Sequence, residues 1–343
     1  MNSSQYFNLF ASCKLVSGAN RSCIFDFDRV KYHFIPNALY DIIKKYNGNT
    51  KIGSIYKKYP DNEAELDDYF NFLDRNELIF FSKDNVSHIF PRVSEHHSTP
   101  FALSNAVLAV NSQSSYSIVS VCKELSDIGT NHIQLRIFSQ MKLTELLRKL
   151  GEISELGFRS IEILVKDNPT LDDHGLLNLV DRYRNIAFIL TFSAEKNITI
   201  SKGSKAMGII IKQKAAVHER QRYYFKSPDY FFLNNQIFHE NKHYNAYYNE
   251  SLSVSSKGEI KNALFHEKVF GHVQLDRIEQ ILSETDFCKL WLTRKDESIG
   301  CMDCEYRYVC SDNRIPKKSL GDQYWSFDEP CAYNPYTSQW ATT

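Results

Sequence analysis

A chain of 343 residues with 41 basic and 41 acidic side chains has room for two or three domains. Its balanced charge leaves no footprint for nucleic acid or an anionic membrane surface. No apolar run approaches the roughly 20 residues that span a bilayer, and the opening MNSSQYFNLFASCKLVSG lacks the basic start and long apolar stretch of a secretion signal. The expected compartment is the cytoplasm, where thiols stay reduced and disulfides are rare.

Residues 1–85 read as one unit. SCIFDF and VKYHFI are two short strands joined at Asp28-Arg29. NALYDIIKKY follows Pro36 with Leu39, Ile42, Ile43 and Tyr46 on one helical face, and Gly48 ends the run. KIGSIYKKY gives a second short helix. NEAELDDYFNFLDRNE gives a third, with Leu66, Tyr69, Phe70 and Leu73 at helical spacing, and LIFFSK closes as a strand. Strands around three helices predict a winged-helix-like unit. Its third helix carries Glu63, Glu65, Asp67, Asp68 and Asp74, which phosphate would repel. The ligand that fits is an extended peptide, laid along a strand edge with side chains beside the third helix. Tyr32, Phe34, Leu66, Tyr69, Phe70 and Leu73 are the candidate contacts.

Residues 86–104 are polar, contain two prolines and read as a linker whose adjacent His96 and His97 are solvated. From 105 to 235 the pattern changes. AVLAV, HIQLRIF, SIEILV, NIAFILTF and MGIIIK are apolar runs of the kind found in strands covered on both faces. Helical stretches at 117–128, 143–156 and 172–183 separate them, and Gly129 and Gly157 stand where two of these should stop. Repeated strand–helix units predict a parallel sheet, doubly wound or an incomplete barrel, with about five units rather than the eight of a closed (β/α)8 barrel.

Within residues 236–343, NESLSVSSKGEIKNALF is a hairpin around Lys257-Gly258, followed by a helix near 274–283. Just before the hairpin, HENKH at 239–243 matches H-E-x-x-H, in which two histidines one helical turn apart bind zinc and the glutamate activates water. That chemistry needs a helix. The flanks FFLNNQIF and YNAYYNESL lack helical periodicity, so the segment reads as a connecting strand with surface histidines.

The eight cysteines fall into two groups. Cys13, Cys23, Cys122 and Cys288 are scattered and read as small buried hydrophobes. Cys301, Cys304 and Cys310 stand at C-x2-C-x5-C spacing in CMDCEYRYVC, and Cys331 follows in DEPCAYNPYT. Four clustered thiols bind zinc or an iron–sulfur cluster, and the spacing leaves both open.

The residues around these thiols carry a resemblance. WLTRKDESIGCMDCEYRYVCSDNR followed by EPCAYNPYTSQW closely resembles the SPASM domain, the C-terminal extension of many radical SAM peptide maturases that binds auxiliary [4Fe–4S] clusters. In that family one cluster takes the C-x2-C-x5-C trio and the final cysteine, which here are Cys301, Cys304, Cys310 and Cys331. The ligands of the other cluster are absent: the hairpin has no cysteine, and Arg314 stands where the family's next cysteine would follow the trio after three intervening residues. The resemblance thus implies one retained cluster; Arg314 either places a fixed positive charge beside it or is a surface arginine. The catalytic C-x3-C-x2-C of radical SAM enzymes is also missing. Its expected place after AVLAV reads NSQSSYSIVSVC, so S-adenosylmethionine is not an expected cofactor and no catalytic residue is assigned.

Over nearly the whole chain, RSCIFDFDRVKYHFIPN, IQLRIF, YNESLSVSSKGEIKN and CEYRYVCSDNR…PCAYNPYT resemble the SPASM-domain peptide maturase of grasp-with-spasm systems. That likeness implies a ribosomally made, post-translationally modified peptide as partner, together with an ATP-grasp ligase. The expected architecture is α/β: an N-terminal winged-helix-like peptide-binding unit, a degenerate, partial radical SAM-type β/α barrel, and a SPASM-like metal-binding domain. The expected function is peptide maturation with one [4Fe–4S] cluster. The alternatives are a non-catalytic adaptor that presents the peptide with a structural zinc or iron–sulfur site, and a zinc hydrolase built on Glu240.

Overall fold

The computed structural model describes residues 2–86, 88–90, 96–200, 208–222, 225–319 and 323–341. Ser87 and residues 91–95 of the expected linker and Met207 of the MGIIIK run lie outside the described residues. The chain divides into two compact units: Met1–His97, Tyr224–Ala246 and Thr293–Thr343 form one, and Ser98–Tyr223 with Tyr247–Leu292 the other.

In the first unit, β1 (Tyr6–Leu9) pairs antiparallel with β5 (Ile79–Ser82). β2 (Cys13–Val16), β3 (Ser22–Asp26) and β4 (Lys31–Ile35) form an antiparallel sheet in that order. Helices α1 (Asn37–Tyr46), α2 (Ile52–Lys58) and α3 (Glu63–Arg75) follow. All three helices fall where the periodicity put them, because their apolar stripes build one core: Leu39, Ile43, Ile52, Ile55, Leu66, Phe70 and Leu73 are buried together with Phe7 and Ile24. Each such side chain contributes about 1.5–3 kcal/mol on burial. β4 is an edge strand and has no ladder partner on its outer side among the described residues. Farther along the chain, the same unit has two antiparallel pairs, Pro316–Lys318 with Trp325–Phe327 and Tyr333–Asn334 with Gln339–Trp340.

The second unit is a nine-stranded, mostly parallel sheet. Its strands are β6 (Asn105–Val110), β7 (His132–Ile137), β8 (Ser160–Lys166), β9 (Ile186–Phe192), β10 (Ile198–Ile200), β11 (Ile209–Gln213), β12 (Ser251–Val254), β13 (Glu259–Lys261) and β14 (Gly271–His272). They lie in the order β10-β11-β9-β8-β7-β6-β12-β13-β14. Helices α4 (Ile118–Asp127), α5 (Leu143–Ser154) and α6 (Asp173–Arg182) link β6 through β9. Gly129 and Gly157 follow α4 and α5 with φ of 82° and 81°, the left-handed conformation that ends helices.

β6, β7, β8, β9 and β11 lie side by side in chain order, and the chain then returns to set β12 parallel on the other side of β6. Right-handed crossovers all running one way put the helices on one face. The burial pattern corrects the expectation of strands covered on both faces. β7 and β8 alternate: Ile133, Leu135, Ile137, Ile161, Ile163 and Val165 are buried under the helices, while Gln134, Arg136 and Glu162 on the other face are half-buried and bonded to one another at 2.6 Å. The expected hairpin is present as β12 and β13, and β12 joins the sheet parallel to β6.

Candidate functional site

Apart from its two short strand pairs and the turn Lys295–Glu297, the described part of residues 295–340 is irregular, so its shape is set by turns and side-chain anchors. Gly300 takes a φ of 78° with open space around its Cα, which aims the chain into the turn closed by Cys304 N donating to Cys301 O at 3.0 Å. Behind the turn, Arg307 donates to Asp296 at 2.9 Å and to the carbonyl of Ser17. Tyr306, Tyr308, Val309 and Tyr333 are buried against Val16, Cys23, Phe25 and Phe238. This aromatic core fixes the cysteine-bearing turns.

Cys301, Cys304, Cys310 and Cys331 all line one cavity of about 530 Å³, more than ten times the roughly 30 Å³ share of one water. Two of the four sulfurs accept a backbone N–H from the tyrosine two residues on: Tyr306 N to Cys304 Sγ and Tyr333 N to Cys331 Sγ, both at 3.4 Å. Arg314 Nη2 lies 3.5 Å from Cys301 Sγ, and the Cys310 thiol faces Asp312 Oδ2 at 3.6 Å. Donors aimed at sulfur favour the thiolate. The repeated C-x-Y of CEY and CAY is the sequence signal for these N–H···S contacts, and spacing counted from cysteine to cysteine misses it.

The cavity is electrostatically mixed. Lys295 and Arg314 both bond Asp312 Oδ2, at 3.2 and 2.8 Å. Burial works against the Asp312 charge, yet Lys295 and Arg314 hold its carboxyl well below the usual carboxylate range. Burial pushes the thiols of Cys301, Cys304 and Cys310 up. For Cys301 and Cys310 the ammonium of Lys295 is the strongest influence in the opposite direction.

Among the described residues, no three His, Cys, Asp or Glu side chains are arranged to hold a single metal ion. The four cysteine sulfurs belong to the lining of one cavity, a donor set that suits either zinc or an iron–sulfur cluster.

HENKH corrects the expectation of a strand. Asn235–His243 is a helix, and the Asn234 side chain caps it by accepting from Ile237 N at 2.8 Å. Asparagine is among the best N-caps, a local helix signal that the lack of periodicity in the flanks conceals. Packing completes the helix: Phe238 meets Phe27 and Tyr308 edge-on at 5.2 Å, and Asn241 donates to the Tyr308 carbonyl at 3.1 Å. His239 is buried and His243 exposed. His96 is exposed with its ring 6.3 Å from that of His243, and His97 packs on Tyr244 at 5.9 Å.

The six candidate peptide contacts separate. Leu66, Phe70 and Leu73 are at most 2 % exposed and belong to the core beneath α3. Tyr69 is half-buried and donates to Glu65. Tyr32 and Phe34 lie on the face of β4 that meets Tyr306, at 6.0 and 5.8 Å, and His33 on the opposite face meets Phe72 of α3 at 5.9 Å. The surface beside α3 is therefore made by His33, Phe72 and Tyr69. The i, i+3, i+4 pattern that located the helix marks its inward face, and it does not mark a groove.

Of the scattered thiols, Cys13, Cys23 and Cys122 are buried. Cys288 is half-buried, its thiol facing Leu282 O at 3.4 Å. The loop after β6 is closed by its own bonds: Ser114 Oγ accepts from Asn111 N at 2.9 Å and donates to Ser256 O at 2.6 Å.

No protein-family profile matches the sequence, and no curated protein matches it. Among solved structures, Streptococcus suis SuiB is similar at 9 % identity and a TM-score of 0.37, over 89 % of this chain and 94 % of that one. SuiB bound to S-adenosylmethionine gives 8 % and 0.36, and SuiB bound to precursor peptide SuiA 6 % and 0.26, over the same shares of each chain. With every TM-score below 0.5, the likeness decides neither fold nor function.

Proposed function

We propose that this chain is a maturation factor for a ribosomally synthesised peptide, acting in the cytoplasm with an ATP-grasp ligase, and that it carries one [4Fe–4S] cluster on Cys301, Cys304, Cys310 and Cys331. The observation that carries the reading is the cavity itself: four thiols from two distant stretches line it, and N–H donors already point at two of them. The size of the cavity favours a cluster over a single zinc ion. Bound there, a cluster would tie Cys331 back to the 301–310 turn and could exchange single electrons. The precursor would add a strand to the open edge of β4, with one set of its side chains over Phe34 and the other toward His33, Phe72 and Tyr69.

The test is anaerobic purification followed by iron, sulfide and zinc analysis and an absorption spectrum. Iron and sulfide near four each, with thiolate-to-iron absorption, support the reading; stoichiometric zinc without iron overturns it.

A second reading, a non-catalytic adaptor that presents the peptide to the ligase, is favoured by the loop after β6. Its residues 111–117 contain no thiol, and Cys122, the nearest, is buried within α4. Mass spectrometry of the precursor coexpressed with the ligase, with and without this chain, separates the two. A mass change that needs this chain alone rejects the adaptor.

A further inference from the structure

Lys295 sits on the short turn Lys295–Glu297, and only 1 % of its side chain reaches solvent. Lysine is almost never so buried unless paired, because taking an ammonium out of water costs several kcal/mol. Its Nζ lies 3.2 Å from Asp312 Oδ2, the same oxygen that takes Arg314 Nη2 at 2.8 Å. The Arg314 and Asp312 side chains are 8 % and 9 % exposed. Two cations thus converge on one carboxylate oxygen, and all three side chains line the cavity that holds the four thiols. Contact with sulfur is direct, through Arg314 Nη2 to Cys301 and Asp312 Oδ2 to Cys310. The ring of Phe327 covers both cations, with Arg314 at 4.1 Å and Lys295 at 5.6 Å from its centroid.

Such a group is a poor way to stabilise a fold. Replacing a buried ion pair or triad by apolar residues of similar volume is often neutral or stabilising. Its place in the wall of a thiol-lined cavity points to a negative occupant. A four-thiolate centre is anionic, and each added electron makes it more so. A fixed positive charge nearby in a dry wall favours the reduced form and opposes loss of the metal.

We propose that Lys295, Asp312 and Arg314 form the fixed counter-charge of the thiolate-bound centre. Asp312 orients the two cations, and Lys295 and Arg314 act as positioning residues that retain the centre and raise its reduction potential. This inference rests on the cluster reading above and adds the charge wall to it.

The test uses the full chain, reconstituted anaerobically with iron and sulfide. The midpoint potential is read by electron paramagnetic resonance during dithionite titration, and retention by the half-life of iron against a chelator. Lys295→Met should disfavour reduction about tenfold, a shift of about 59 mV to lower potential for one electron, and shorten the half-life several-fold. Lys295→Arg, which keeps the charge, should stay at the wild-type values. Arg314→Met reports on the same wall if Lys295→Met does not fold.

A purely structural role would change the melting temperature but leave the potential of the loaded centre alone. Wild-type potential and half-life in both charge-deleting variants would overturn the inference while leaving the cluster in place. A wild-type chain that takes up neither iron nor zinc would bring down the metal-centre reading, and the charge wall with it. If the wild type holds zinc, the chelator half-life decides alone: shortened in both charge-deleting variants it supports the wall, unchanged it overturns it.

Discussion

Tyr333 and Glu305 offer a quantitative test of how the distal cysteine is anchored. Glu305, next to Cys304, has a fully buried side chain whose Oε1 accepts from Arg21 Nε at 2.7 Å and from the Tyr333 hydroxyl. Tyr333 is two residues from Cys331, so the carboxylate links the stretches that carry both sulfurs. Tyr333→Phe removes the hydrogen bond to Glu305, worth about 1.5–3 kcal/mol, together with the longer one accepted from Arg21 Nη2 at 3.4 Å, and keeps the ring packed on Tyr306 and Trp340 at 5.1 and 5.0 Å. Glu305→Ala leaves the guanidinium of Arg21 without its carboxylate, which for a buried pair costs about 3–5 kcal/mol. Arg21 is 27 % exposed, so solvent screens part of that loss. Glu305 Oε2 is also buried with no hydrogen-bond partner, an unfavourable group that the substitution removes. The expected loss is therefore at or below the low end, about 2–3 kcal/mol. Because both changes break one network, the double variant should fall short of the sum by about 1.5 kcal/mol. Urea unfolding followed by tryptophan fluorescence measures all three. Losses that add to within about 0.3–0.5 kcal/mol would mean that the carboxylate does not couple the two stretches.

Three further outcomes are expected. Cys310→Ala should remove one ligand of four and lower the iron content well below the wild-type value; a fully loaded variant would show that the ligand set is wrong. Burial pushes the thiols of Cys13 and Cys122 up to about 12 from an ordinary 9.0. At pH 8 only about one in 10⁴ of either is then thiolate, so iodoacetamide and mass spectrometry should find both unmodified in the native chain. The raised values also fix a sign: each thiol's contribution is fully present below about pH 9 and is lost as the pH climbs toward about 12, by about 1.4 kcal/mol per unit per thiol, so alkaline denaturation that is flat across that interval would count against the burial. Phe70→Ala, which empties a site 1 % exposed beneath α3, should cost about 3–5 kcal/mol in thermal or urea unfolding; a loss under about 1 kcal/mol would return Phe70 to the surface groove that the periodicity suggested.

The strand–helix alternation and the four clustered cysteines were legible because their signals are local. Periods of 3.6 and 2 and a run of thiols follow from neighbours along the chain, and α1–α6 lie where the apolar stripes place them. The helix Asn235–His243 was lost because its apolar partners, Phe27 and Tyr308, stand more than 60 positions away in the sequence, leaving only the Asn234 cap as a local sign. Leu66, Phe70 and Leu73 show the complementary error, since a stripe records that a face is buried without recording what buries it. By itself, the sequence determined that four thiols were available and that a sheet of parallel strands was present. The tertiary structure decided the strand order, with β12 returning to the far side of β6, and it brought Cys331, Lys295 and Asp312 to the wall of one cavity. Burial, counter-charge and sulfur-directed donors depend on distances in space, and spacing along the chain does not encode them.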